Sequence, residues 1–123
     1  MPTMIRQLSF DFEKTQNVFS AMLPKHSQIL GGDMVGRAPV MWVLANWDLD
    51  TEKRWFLYTI CNTPVDTVDD PHSLLEKRPI VLEQLQHVAH FMEVDNTRFP
   101  PVVPWNLFEL IPRPSTDPQS AQN

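Results

Sequence analysis

The residues able to do chemistry are few and scattered. His87 and His90 stand three apart, with His26 and His72 elsewhere. On a helix the close pair would share a face and could take a metal with help from Glu83 or Glu93; on a strand the two would point to opposite faces. Neither Cys-x-x-Cys nor His-Glu-x-x-His occurs, so no metal site is expected. Asp48, Asp50 and Glu52 alternate as calcium ligands do, but the central glycine and closing glutamate of a binding loop are missing, and a solvated turn is expected. Cys61, the single cysteine, ends an apolar run and reads as a small hydrophobe rather than a nucleophile. The stretch GGDMVG at 31–36 lacks the lysine and Ser/Thr of a phosphate loop, which leaves Arg37 as a hint of an anion contact. With no Gly-x-Ser-x-Gly either, no catalytic residues, no cofactor and no enzymatic activity are predicted.

Aromatic surface, in contrast, is abundant: 4 Trp, 7 Phe and 1 Tyr in 123 residues. One thin sheet covered on a single face cannot hide that much, and exposed Trp, Tyr, Met and Arg are what interface centres are built from. Trp47, Trp55 and Trp105, with acidic Asp48 and Asp50, are therefore the predicted partner-binding residues. An alternative uses Arg37 and Arg54 to hold a small anionic ligand or nucleotide by charge-assisted bonds beside the aromatics.

The elements that must position these residues read mainly as strands. Leu8, Phe10 and Phe12 alternate with polar residues over 5–12, a half-buried strand, and 16–23 is a second. A turn at Pro24-Lys25-His26 leads to an apolar stretch closed by Gly31-Gly32, a turn or bulge. Residues 40–47 (VMWVLANW) and 54–61 (RWFLYTIC) are β-branched and aromatic on both faces. They are expected to pair as an antiparallel hairpin, Trp42 and Trp47 against Trp55, Phe56 and Tyr58. Residues 70–78, acidic first and basic last, predict one short helix stopped by Pro79. Over 80–94 propensity favours a helix carrying Val81, Leu85, Val88 and Met92 on one face. Residues 102–111 return to a strand with Val103, Trp105 and Leu107 on one face, Pro104 arguing for a sheet edge. The fold class is thus mainly β, with α+β as its variant: a single small antiparallel domain over 1–112, one short helix, and a tail over 113–123 expected to be disordered.

Size and charge set outer bounds. A chain of 123 residues buries about two-thirds of its extended surface, enough for one core. Ten Lys and Arg against fifteen Asp and Glu give a net charge of −5, the wrong sign for gripping phosphates, so direct nucleic-acid binding is not expected. Cys61 alone forms no internal disulfide, and no apolar run approaches signal-peptide or bilayer length, so a soluble cytoplasmic protein without a membrane partner is expected.

The order of pieces also resembles a family of small, mostly β proteins of phages and prophages that carries only a domain-of-unknown-function label. The likeness covers residues 4–110: an aromatic strand, a strand ending in Leu23-Pro24-Lys25, a strand around Trp42, the Asp-Thr-Glu-Lys-Arg loop at 50–54 and a Thr63-Pro64-Val65-Asp66 stop. Glu52, Arg54, Phe56 and Pro64 match the family pattern, whereas 60–63 read Ile-Cys-Asn-Thr in place of its Gly-Thr-Gly-His. Trp105 to Glu109 looks like the end of its last strand, which implies a preceding strand from about residue 86 and leaves 80–85 open between helix and strand. The resemblance implies a phage or prophage accessory protein, in the host cytoplasm, whose partner is a host or phage protein. Inhibition of a host defence complex is one such role, and self-association into a homo-oligomer is another use of the same aromatics. Acidic steering of that binding would weaken with salt.

Overall fold

In the computed structural model, which describes residues 3–10, 16–73 and 75–113, seven strands build two antiparallel sheets. The strands are β1 (Thr3–Ser9), β2 (Gln16–Pro24), β3 (Gln28–Val35), β4 (Ala38–Asn46), β5 (Thr51–Ile60), β6 (Leu85–Val94) and β7 (Val102–Leu110). One sheet has the order β1-β4-β3, the other β2-β5-β7-β6. Among the described residues the hairpins within a sheet are β3–β4, closed by Gly36 at φ +63° with Arg37, and β6–β7. Glycine at the first central position of a two-residue turn supplies the positive φ that the twist of the strands requires. Phe12 and the tail beyond Arg113 lie outside the described residues.

The two aromatic runs of the sequence do not pair with each other. β4 is the centre of the first sheet, between β1 and β3, while β5 lies between β2 and β7 in the second. Each is an interior strand of its own sheet, and β5 is apolar on both faces because its inward Phe56 and Tyr58 meet the core while its outward Trp55 and Leu57 lie in a second cluster with Val65, Val68 and Ile80; the 47–50 link carries the chain from one sheet to the other. Of the two readings of Gly31-Gly32 the bulge holds and the turn does not: β3 runs through the pair with a bulge between Ile29 and Gly31. β7 is interior rather than an edge. Pro104 is accommodated because it faces Met92 of β6 one position beyond the last β5 pair, Ile60 with Trp105.

The inward faces meet in one core. Met41, Val43 and Ala45 of β4 oppose Leu23, Phe56, Tyr58, Ala89, Phe91, Val103, Trp105 and Leu107. Phe10, beyond the end of β1, stacks on Phe19 of β2 at 4.8 Å between centroids, and Phe19 stacks on Phe56 at 5.4 Å. β3 crosses β6 at Gly32, where a Cβ would stand 2.7 Å from the Val40 carbonyl oxygen and 3.3 Å from the Ala89 Cβ.

On the outer face of the larger sheet, Leu57 and Leu110 are covered by the 62–81 segment through Val65, Val68 and Ile80. No helix forms over 70–78 among the described residues. Asp69 bridges Pro79, the Asp70 amide donates to the Arg78 carbonyl (2.7 Å) and the Ile80 amide to Val68 (2.9 Å), so the ends of the segment pair with each other. Nine residues bounded by Pro71 and Pro79 cannot repay helix nucleation, whereas pairing the ends lays Val68 and Ile80 on the sheet. Residues 82–84 make a single 3₁₀ turn, and from Leu85 the chain is strand, as the resemblance implied and against helical propensity. Backbone pairing of β6 along β7 outweighs a preference worth a few tenths of a kcal/mol per residue, by about 0.7 at most.

Gly32→Ala is expected to cost roughly 1–3 kcal/mol, read as a lower denaturant midpoint at unchanged slope, because the clashing Val40 oxygen is backbone and cannot turn away. An unmoved midpoint would mean that the strands do not approach this closely.

Candidate functional site

The predicted contact residues scatter. Trp105 is 4% exposed; it meets Tyr58 edge-on at 5.2 Å and its Nε1 donates to Glu93, so it is core and not a docking aromatic. Its strand alternates inward at 103, 105 and 107, which places the indole between the sheets. Trp55 lies half-buried on the outer cluster of the larger sheet with the Lys53 ammonium 5.7 Å from its ring centroid. Trp47, at the β4–β5 link, is pinned: Nε1 donates to the Met4 carbonyl at 2.9 Å and the Arg6 guanidinium covers its ring at 4.6 Å. Asp48 and Asp50 are exposed in the turn beyond it.

Arg54 is no free anion ligand. Its Nε and Nη2 grip both carboxylate oxygens of Glu109, and Nη1 donates to the Ser27 carbonyl at 2.6 Å. The two side chains are 17% and 13% exposed, at the rim of the inner face. The Glu109 hydrogen bonds raise the guanidinium's pKa above its ordinary value, against the lowering effect of burial. A bidentate fork of this kind fixes orientation as well as charge.

The groups with nucleophilic or metal-binding chemistry gather around Asn106, on the outer face of the larger sheet. A bulge between His87 and Ala89 lets His87 stand opposite Phe108 and His90 opposite Asn106, so both imidazoles share one face where a regular strand would have separated them. His87 Nε2 is 3.2 Å from Asn106 Oδ1, and Asn106 Nδ2 is 3.8 Å from the Cys61 sulfur. An amide between thiol and imidazole does not take up the thiol proton, and among the described residues no three His, Cys, Asp or Glu converge as a metal ligand set.

The surface that stands out is one end of the sandwich, where the β3–β4 turn meets the β6–β7 hairpin. Phe99 is 99% exposed between Arg98 and Pro100-Pro101, with exposed Val102 lining the same depression and Val94 paired to Val102 across the hairpin. The loop is held by its own bonds. Asp95 Oδ1 accepts from the Thr97 amide (3.0 Å) and hydroxyl (2.6 Å), the Arg98 amide donates to the Asp95 carbonyl, and the Asp95 amide donates to Pro101 (2.6 Å). These Thr97 bonds hold the Asp95 carboxyl below the usual carboxylate range. Arg37 lines a depression of about 510 Å³ on one side of the hairpin with Met34, Glu93 and Asp95; Arg98, Phe99 and Cys61 line a smaller one on the other. Phe99 is not among the contact residues predicted from sequence, which are tryptophans of strands and the acidic residues beside them. The signal was there: an aromatic inside a proline- and turn-rich stretch (DNTRFPP) belongs to no strand pattern and has nothing to pack against.

Two measurements test this geometry. Arg54→Met is expected to cost about 2–3 kcal/mol by leaving Glu109 unpaired, and adding Glu109→Leu should restore part of the loss in denaturant unfolding; equal or greater loss in the double variant would contradict it. Because the folded-state pKa of Asp95 is lowered, the loop's support is complete at neutral pH and is lost as pH falls through that lowered value, so the Thr97 amide resonance should titrate below the ordinary carboxylate range and stay unmoved around neutral pH.

Among the described residues no helix is long and apolar enough to cross a membrane. No family model matches the chain, and the searches of curated proteins and of solved structures returned no match, so the residues and their geometry carry the functional reading.

Proposed function

We propose that the chain acts by binding another protein, without chemistry of its own, through the sandwich end formed by the β3–β4 turn and the β6–β7 hairpin. The observation that carries this reading is Phe99, an almost fully exposed aromatic on a loop whose backbone is already ordered by Asp95. An aromatic fixed before contact loses little entropy on binding, and exposed Val102 with Val94 beside it across the hairpin adds apolar surface. The charges here are mixed: Arg37 and Arg98 stand with the carboxylates of Glu93, which accepts from Trp105, and Asp95, which accepts from Thr97. Phe99 thus replaces Trp105 as the anchor, while Trp47, Trp55, Asp48 and Asp50 lie apart from it in the fold.

In the setting that the sequence resemblance implies, the partner is a host or phage protein, and inhibition of a defence complex is the role that such a small accessory binder would play. The reading as a binder of small anions is weaker: Arg54 already has Glu109, and Arg37 shares its depression with two carboxylates.

Capture of the partner on the tagged protein from host cells, followed by titration with the Phe99→Ser variant, tests the proposal. Affinity should fall by about 30-fold or more, the scale of an interface hot spot, with the melting temperature unchanged. A complex that binds the variant as tightly as the parent overturns it.

A further inference from the structure

The first strand presents a second surface, independent of the Phe99 loop. β1 pairs with β4 on one side only, in the register Thr3 with Asn46 through Ser9 with Val40. The Phe10 amide donates to Pro39 in the next pair of the same register (3.0 Å). Antiparallel ladders alternate, so Met4, Arg6 and Leu8 turn their backbone groups to β4, whereas Thr3, Ile5, Gln7 and Ser9 turn theirs to the open edge. The β3–β4 ladder agrees: Ala38 faces Val35 across the two-residue turn, which leaves the odd-numbered residues of β4 for β1.

Exposed edges are ordinarily blunted by lysine, proline, a bulge or a covering element. β3 and β6 are both bulged and lie against each other at Gly32 and Ala89. β1 has no lysine, proline or bulge over its seven described residues, which run in unbroken register; its one charge, Arg6, turns inward onto the Trp47 ring, and Ile5 is 57% exposed on the outer face. At its far end Phe10 stacks on Phe19 of β2, so the edge approaches the other sheet there and is open toward Thr3.

We infer that this edge pairs with the β1 edge of a second copy, antiparallel about Ile5, joining the two three-stranded sheets into one. The occupant follows from register and side chains. With the two-fold axis at Ile5, the outward-turned residues fall in hydrogen-bonded pairs: Ile5 with Ile5 of the partner subunit, and Thr3 with Gln7 of the partner subunit. Arg6 then stands opposite Met4 of the partner subunit, so the cation on the strand does not face its own copy. On the outer face Ile5 already neighbours Leu44, because Met41, Val43 and Ala45 point into the core; pairing joins the Leu44–Ile5 row of one copy to that of the other as a continuous apolar ridge. Half-exposed Ile5 becomes its centre.

Sedimentation equilibrium of the full chain across a dilution series from millimolar to micromolar should show a reversible monomer–dimer equilibrium. Ile5→Pro removes an amide that β4 does not use, and Ile5→Lys installs an edge charge; both should remain monomeric with parental melting temperature and near-ultraviolet dichroism. In amide exchange of the parent, Ile5 and Gln7 should be protected at high concentration and lose protection on dilution, while Arg6 and Leu8 stay protected throughout. Phe99→Ser should still dimerise. A parent that is monomeric at millimolar concentration, a dimer that survives both Ile5 variants, or one abolished by Phe99→Ser overturns the inference, the last by placing self-association at the hairpin ends.

Discussion

The contact on which the rest depends is the aromatic packing between the two sheets. Hydrogen-bond ladders run within each sheet, and the chain changes sheet between β1 and β2, between β2 and β3, and between β4 and β5, so apolar side chains must hold the layers face to face. Phe10 reaches across to Phe19 and Tyr58, Phe19 lies on Phe56, and Tyr58 meets Trp105. Truncating one such ring in a core costs roughly 3–5 kcal/mol, a large share of the stability of a small domain. Five of the twelve aromatic rings go here. The Arg54–Glu109 fork closes the same inner face at its rim, tying β5 to β7 and, through the Ser27 carbonyl, to the chain entering β3.

With the inner faces committed to packing, what is left for contact is the periphery: hairpin ends, outer faces and edges. The second sheet's outer face is taken over by the 62–81 segment. The β3–β4 and β6–β7 ends meet and carry the most exposed aromatic of the molecule among its described residues, on a loop stiffened by Asp95 and Thr97. The edge of β1 runs in unbroken register with β4, without lysine, proline or bulge among its described residues. These two surfaces differ in physics. One offers a side-chain anchor in an apolar surround, the other a row of main-chain donors and acceptors, so one molecule can use both at once.

Charge illustrates how little composition says about place. The net charge of −5 suggests acidic steering, yet around the Phe99 loop Glu93 and Asp95 are matched by Arg37 and Arg98, so that end of the sandwich carries no acidic excess. Arg54 shows the same from the other side: a lone arginine in a strand reads as available until the fold brings Glu109 to it across 55 positions of chain.

Strand character was legible in the sequence because alternation and β-branched or aromatic residues are local properties: Leu8 and Phe10 line one face, Val103, Trp105 and Leu107 another, and residues 40–47 and 54–61 lie mostly within interior strands. Which strand neighbours which was not legible. The two aromatic runs belong to different sheets, since an apolar strand fits several neighbours equally and the choice is made by all seven at once. Residues 85–94 have helical propensity but complete a sheet, because pairing along β7 outweighs an intrinsic preference of tenths of a kcal/mol per residue. Exposure of particular aromatics was equally a tertiary decision. Trp105 and Phe99 are six residues apart on one hairpin, and only the position of the opposite sheet buries the first and leaves the second in water.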